Sequence, residues 1–325
     1  MKAFDIHSEP QEISAFLSGL GWLEDGESVR EVSRAGEGNM NVVLRLATTG
    51  RSLILKQSRP YVQKYPDIPA PLGRIRTEYR FYREVQGAGI QDHLPAIYGF
   101  HEPSHLLLME DLGKAEDMTF LYRTRQPDAE TLQALAGALA RIHACTLPAD
   151  YPDNLELRQL NHQHIFVLPF REDNGFSLDD VQPGLAALAA PYLNDQALIH
   201  NITELGERYL SEGDTLLHGD YYPGSWLQAD GKAYIIDPEF SFAGFPEFDL
   251  GVMAAHLVMA TNDPDAWRRV LDMYPNPADP QLTGRVAGTE ILRRLIGLAQ
   301  LPLERSLDEK RNLLETARKL VLYGN

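Results

Sequence analysis

The 325-residue sequence predicts an α+β chain, with strands gathered toward its N-terminus and helices filling most of the remainder. Three observations carry this expectation. Residues 31–46 read as a strand, a glycine-containing turn and a second strand. Two short apolar runs flank Ala229-Asp230-Gly231 and form a second hairpin pattern. Beyond Glu239 the apolar residues fall into long helix-compatible segments. The length suffices for two lobes and a substantial core.

Taken in order, the first hairpin carries Gly36 and Gly38 in its turn. Glycine there lets backbone N–H groups come close to phosphates, although any tight turn also favours it. The next strand, residues 52–57, is apolar apart from Lys56 at its end. A proline-rich stretch runs to Pro71, and residues 73–86 then suit a helix that carries Glu78 and Glu84. Residues 105–113 form an apolar strand ending in Glu110, Asp111, Leu112 and Gly113, a pattern that core strands share. Residues 135–145 read as an apolar helix, with Cys145 expected as a core thiol. From 147 to 184 the sequence is irregular, and His162 and His164 are expected on a polar loop lining a cleft.

The densest chemistry lies in Leu217-His218-Gly219-Asp220-Tyr221-Tyr222-Pro223-Gly224-Ser225, followed by Ile236-Asp237-Pro238-Glu239. Asp220 sits on a tight loop where it can accept a proton from a hydroxyl. Asp237 and Glu239 end an apolar run, where a metal ion could be held. The intervening hairpin returns the chain so that Asp220, Ser225 and Asp237 converge. A positioned base beside carboxylate-bound Mg²⁺ is what phosphoryl transfer from ATP to an alcohol requires. Either half alone would read as an ordinary turn or strand end; both in this order point to a small-molecule kinase.

Composition narrows the field. A net charge of −16 opposes nucleic acid as a partner, since phosphate binding needs clustered Lys and Arg. It would suit a cationic substrate, or serve solubility alone. No apolar stretch reaches the length of a membrane span, and the N-terminus lacks a signal-peptide pattern. One cysteine excludes an internal disulfide and fits a cytoplasmic setting.

His-Gly-Asp, five residues on to Ser, then Ile-Asp-x-Glu resembles the aminoglycoside phosphotransferase and choline kinase superfamily. Within it the chain most resembles the methylthioribose kinases, whose loop ends in Gly-Ser and whose metal motif is Asp-Pro-Glu. Gly36-Glu37-Gly38-Asn39-Met40-Asn41 is similar to that family's Gly-Asp-Gly-Asn-Leu-Asn, and Phe248-Asp249-Leu250-Gly251 to its Phe-Asp-Ile-Gly. The resemblance implies a protein-kinase-like bilobal fold. An N-terminal antiparallel sheet lobe over residues 1–112 would cover ATP, and a larger, mainly helical C-terminal lobe over residues 113–325 would hold catalysis and substrate.

By the same resemblance, Gly36, Gly38, Asn39 and Lys56 would meet the ATP phosphates. Glu78, or else Glu84, would fix Lys56, and backbone groups near Glu110 and Leu112 would bind adenine. Asp220 would be the base, and Mg²⁺ would sit on Asp237 and Glu239 with help from Ser225. Asp249 would brace the catalytic loop, and His143 would be structural. Ile291-Leu292-Arg293-Arg294-Leu295-Ile296-Gly297 places two arginines in an apolar helix, where successive residues point about 100° apart. At least one must face inward and find a partner. Either it pairs with a carboxylate such as Asp249, or Arg293 and Arg294 meet the sugar and the transferring phosphoryl group, as a similar run in methylthioribose kinases implies.

The chain departs from that family in its loop, where Tyr222 stands in place of histidine. The expected function is therefore an ATP- and Mg²⁺-dependent kinase for methylthioribose or a related sugar. An aminoglycoside, choline, homoserine or fructosamine kinase is the alternative, as is a nucleotide-binding pseudokinase. The small-molecule alcohol is the expected partner, with neither nucleic acid nor membrane, and a homodimer is compatible with the relatives. His-Arg-Asp, Asp-Phe-Gly and Ala-Pro-Glu are missing, which disfavours a protein kinase.

Overall fold

The computed structural model describes residues 2–36 and 40–324. Gly38 and Asn39, expected at the phosphates, lie outside the described residues. Helix α1 (Pro10–Gly19) precedes β1 (Val29–Arg34), β2 (Val42–Thr48) and β3 (Ser52–Gln57). A small ribbon of β4 (Tyr61–Val62) and β5 (Tyr65–Pro69) leads to α2 (Arg74–Glu84), β6 (Ile97–His101) and β7 (Leu106–Glu110). The five long strands form one antiparallel sheet in the order β1-β2-β3-β7-β6. The fold is thus the expected bilobal α+β one, a sheet followed by a helix-rich remainder.

Alternation along β7 explains how the two parts share a boundary. Successive strand residues face opposite ways, so Leu106 and Leu108 join a small core with Phe4, Ile13, Leu17, Leu44, Leu46, Leu53 and Leu55. Leu107 and Met109 face the large core instead, together with Ile75, Phe81 and Tyr82 of α2. The strand is buried on both faces because a core lies on each.

The remainder contains β8 (Glu116–Asp117), α3 (Leu121–Thr124), α4 (Ala129–His143), α5 (Leu155–His162), α6 (Leu178–Val181), α7 (Leu185–Leu193) and α8 (Gln196–Leu210). Next come β9 (Thr215–Leu217), the hairpin β10 (Trp226–Ala229) and β11 (Lys232–Ile235), and β12 (Phe242–Gly244). Four helices close the chain: α9 (Glu247–Thr261), α10 (Ala266–Met273), α11 (Pro280–Ile296) and α12 (Leu307–Tyr323). Asp230 and Gly231 both take positive φ, 49° and 75°, which suits the right-handed twist of a two-residue hairpin. Helix α9 is apolar almost all round and buried along nearly its whole length, between α10 and α11.

The structure overturns two expectations. The 147–184 segment is not an irregular loop: it holds α5, a π-turn over Gln163–Val167 and α6, so His162 and His164 lie on a helical stretch. Its Asn, Asp and Pro residues mark the ends of short helices rather than a continuous loop. Cys145 is not a core thiol. It follows the end of α4, half-buried, with its Sγ against the Arg141 carbonyl at 3.4 Å.

Candidate active site

The site is assembled from three places: the end of β3 with α2, the turns around β10–β11, and the last turns of α11. On β3, Lys56 shares a face with Ile54, whereas Leu53 and Leu55 point into the small core. On α2, the spacing of Arg74, Ile75, Glu78, Phe81 and Tyr82 defines one buried face. Glu78 therefore points inward and meets Lys56 Nζ at 2.7 Å. Glu84, off that face, pairs with Arg80 at 3.2 Å instead. The lysine also contacts Asp237. Burial disfavours its ammonium, but Asp237 and Glu78 outweigh this and hold it well above the ordinary lysine range.

Asp237 adopts a left-handed conformation, φ 61°, at the exit of β11, and 43% of its side chain remains exposed. Two residues on, the chain turns Glu239 inward, where its Oε2 accepts from Asn41 Nδ2 at 2.9 Å and lies 3.3 Å from Arg74. Burial pushes the Glu239 carboxyl up to about 8, with Arg74 opposing. The two expected metal carboxylates thus differ: Asp237 is open to the cleft, while one oxygen of Glu239 is engaged by Arg74 and Asn41. Ser225 is buried in the turn before β10, its carbonyl accepting from the Ile236 N–H at 3.0 Å. The donor set fits a hard cation through Asp237 with the remaining Glu239 oxygen. Among the described residues no cluster of three or more His, Cys, Asp or Glu could hold a metal by itself.

Asp220 is placed by its loop. Gly219 has φ 86°, and a Cβ there would sit 2.2 Å from the Phe240 carbonyl oxygen, so the turn requires glycine. Asp249, in the first turn of α9, accepts from the N–H groups of His218 and Gly219 at 2.7 and 2.9 Å. It is the expected brace. His143 donates to the same carboxylate at 3.2 Å, so its role is structural as expected. His218 donates through Nε2 to the Ile236 carbonyl at 2.9 Å and accepts the Asp220 N–H at Nδ1, tying the loop to β11.

Arg293 and Arg294 both reach Asp220, with Nη2–Oδ1 distances of 3.7 and 3.5 Å. Burial raises the Asp220 carboxyl above its ordinary value, and the arginines only partly offset this. The carboxylate that anchors the two arginines is Glu290 rather than Asp249: it bonds Arg293 Nε and lies 2.8 Å from Arg294 Nε. Behind it, His256 Nε2 donates to Glu290 Oε1 at 2.9 Å and accepts at Nδ1 from the Tyr122 hydroxyl. Burial holds His256 down at about 4, so it is neutral, whereas the two guanidiniums outweigh burial and keep Glu290 well below the carboxylate range.

The sequence reading missed Glu290, His256, Tyr122, Arg74 and Asn41. Glu290 had a legible mark: it stands three and four residues before the arginines, the spacing of helical ion pairs. Arg74 is fully buried and ties Met40 to the proline-rich segment through the Met40, Arg59 and Pro71 carbonyls at 2.7, 2.9 and 2.7 Å. Tyr222 packs its ring under the Arg294 guanidinium, 4.7 Å away, and beside His256 at 4.9 Å. Of the adenine candidates, the Glu110 N–H already donates to the Ala96 carbonyl at 2.8 Å, leaving Leu112 and the Glu110 carbonyl as the groups to test. Gly36 follows the end of β1.

A model of the phosphotransferase enzyme family matches residues 31–283. The chain is 26% identical to a methylthioribose kinase of Geobacillus thermodenitrificans, over 96% of this chain and 91% of that one. It is 27% identical to methylthioribose kinase 2 of Oryza sativa, over 76% and 60%. Among solved structures, a choline kinase from Streptococcus pneumoniae aligns over 95% of this chain and 97% of its own at TM-score 0.54 and 16% identity. Spectinomycin phosphotransferase with ADP and spectinomycin aligns over 97% and 98% at TM-score 0.57 and 15% identity.

Proposed function

The chain belongs to the phosphotransferase enzyme family, and on that premise we propose that it transfers the γ-phosphoryl group of Mg·ATP to a hydroxyl of methylthioribose or a related sugar. The observation that carries the reading is Asp220 with two buried guanidiniums within 4 Å of one of its oxygens. A carboxylate raised by burial is a better base than a solvated one, and guanidiniums beside it can take up charge on the phosphoryl oxygens.

In this reading the acceptor hydroxyl oxygen forms a bond to the γ-phosphorus as the bond to the ADP oxygen breaks, in line. The hydroxyl proton passes to Asp220. Arg293 and Arg294, fixed by Glu290, compensate charge on the three equatorial oxygens. Lys56, aligned by Glu78, holds the phosphates, and Gly36, Gly38 and Asn39 contribute to their binding. Leu112 and the Glu110 carbonyl take adenine, with residues 1–112 as the nucleotide-covering lobe and 113–325 as the other. Asp237 and Glu239, with Ser225 near, would hold Mg²⁺, which would supply neutralisation of phosphate charge.

Two guanidiniums at the acceptor oppose a cationic substrate, so a neutral sugar is favoured over choline or an aminoglycoside. Replacing Asp220 with Ala is expected to lower kcat by about 10²–10⁴-fold. ATP affinity, measured by calorimetry, should be nearly unchanged. A variant that kept its turnover would remove Asp220 from the base role.

A further inference from the structure

A cavity of about 540 Å³ lies between the last turn of α11 and the first turn of α12, and its wall includes Arg294, Arg305, Lys310, Gln182, Gln300 and Ser306. The size suits a small molecule. Its charge is unusual for a chain of net charge −16. Three cations line it, at 7%, 6% and 5% exposure for Arg294, Arg305 and Lys310, against one exposed acid, Glu304.

Two of these cations lack a counter-charge among the described residues. Lys310 has only 5% of its surface exposed, and its ammonium, without hydrogen bond or ion pair to them, opens to the cavity rather than being enclosed. Arg305 donates only to main-chain carbonyls, of Tyr122, Glu304, Met259 and Ala260, at 2.9, 2.9, 3.1 and 2.9 Å. The carboxylate nearest in effect, Glu309, is paired with Arg125 at 2.7 Å. A cation that lines a cavity without a protein counter-charge is free to meet an anion there. The positive N-terminal end of α12, a 17-residue helix, adds to the same field.

We propose that this cavity binds a small molecule bearing a carboxylate or phosphate group, held by Lys310 and touching Arg294, with Arg305 adding positive charge behind them. Arg294 lies 3.5 Å from Asp220, so the site shares a residue with the reaction centre. The anion is either a substituent of the acceptor or a separate molecule. Such binding does not depend on which alcohol is phosphorylated, and it is read directly, so a silent kinase assay would not count against it.

The test is thermal unfolding and calorimetry of the full chain with inorganic phosphate, against chloride at matched ionic strength. At about 100 times Kd, phosphate should raise Tm by roughly 5 °C. Lys310→Met should lose the phosphate shift. Lys310→Arg should keep it. An unshifted wild type, or an equal shift in Lys310→Met, would overturn the proposal; the second outcome would assign the phosphate to the Lys56 region. Ribose and ribose 5-phosphate then separate the two sources. If the acceptor carries the anion, ribose 5-phosphate binds at least tenfold tighter than ribose, and Lys310→Met erases the difference. If the anion is separate, phosphate binds alike with and without saturating ribose.

Discussion

Glu290 is the residue on which the arrangement at Asp220 turns. Fully enclosed on α11, it bonds both arginines and receives His256, so its loss would leave two guanidiniums without a fixed direction. Glu290→Gln is expected to cost about 3–5 kcal/mol of stability, as breaking a buried ion pair does. It should also lower kcat/KM for the acceptor more than it changes ATP affinity, which steady-state kinetics with each substrate varied would reveal. His256 adds a pH dependence. Its folded value of about 4 lies below the unfolded 6.5, so the unfolded chain binds more protons between them. Stability should fall as pH drops through that window, by about 3 kcal/mol in total from this group. Urea unfolding at pH 7 and pH 4.5 checks this, with the slope flattened in His256→Gln. The residues legible in the sequence, Asp220, Asp237 and Lys56, stand in short local patterns. Glu290 and His256 are legible only through contacts between α9 and α11, which no local pattern encodes, apart from the helical spacing of Glu290 to the arginines.

At the scale of elements, propensity and patterning carried far. The hairpin β10–β11 follows from Asp230-Gly231, and α2 from the buried face that also selects Glu78 over Glu84. The segment from 147 to 184 was not legible because its helices are short and interrupted by Pro and Gly; packing against α8 and α11 stabilises them rather than their own periodicity. Helix α12 begins with a capping box, in which Ser306 accepts the Glu309 N–H at 3.2 Å and Glu309 accepts the Ser306 N–H at 2.9 Å. Ser306→Ala should therefore cost about 1 kcal/mol in chemical denaturation. An unchanged midpoint would mean that α12 is held by packing alone.

For the whole molecule, the two hydrophobic cores meet across β7, and the candidate site lies where they adjoin. Lys56 and Glu78 come from the sheet side, Asp220 and Asp237 from the helical side, and the Lys56–Asp237 contact crosses between them. A ligand that touches both should couple them, so a nucleotide at about 100 times Kd should stabilise the chain by about 2.7 kcal/mol. Lys56→Met should largely remove that gain. The bilobal fold was legible because the motifs fall in a fixed order along the chain; the identity of the acceptor was not, since the guanidiniums beside Asp220 come from α11, far along the chain. The most direct measurement is an ADP-release assay with Mg·ATP and a panel of methylthioribose, ribose, choline, homoserine, kanamycin and a fructosamine, with Asp220→Ala alongside. Turnover with methylthioribose or ribose, absent in the variant, is the predicted result. Turnover confined to choline or kanamycin, or equal rates in the variant, would contradict it.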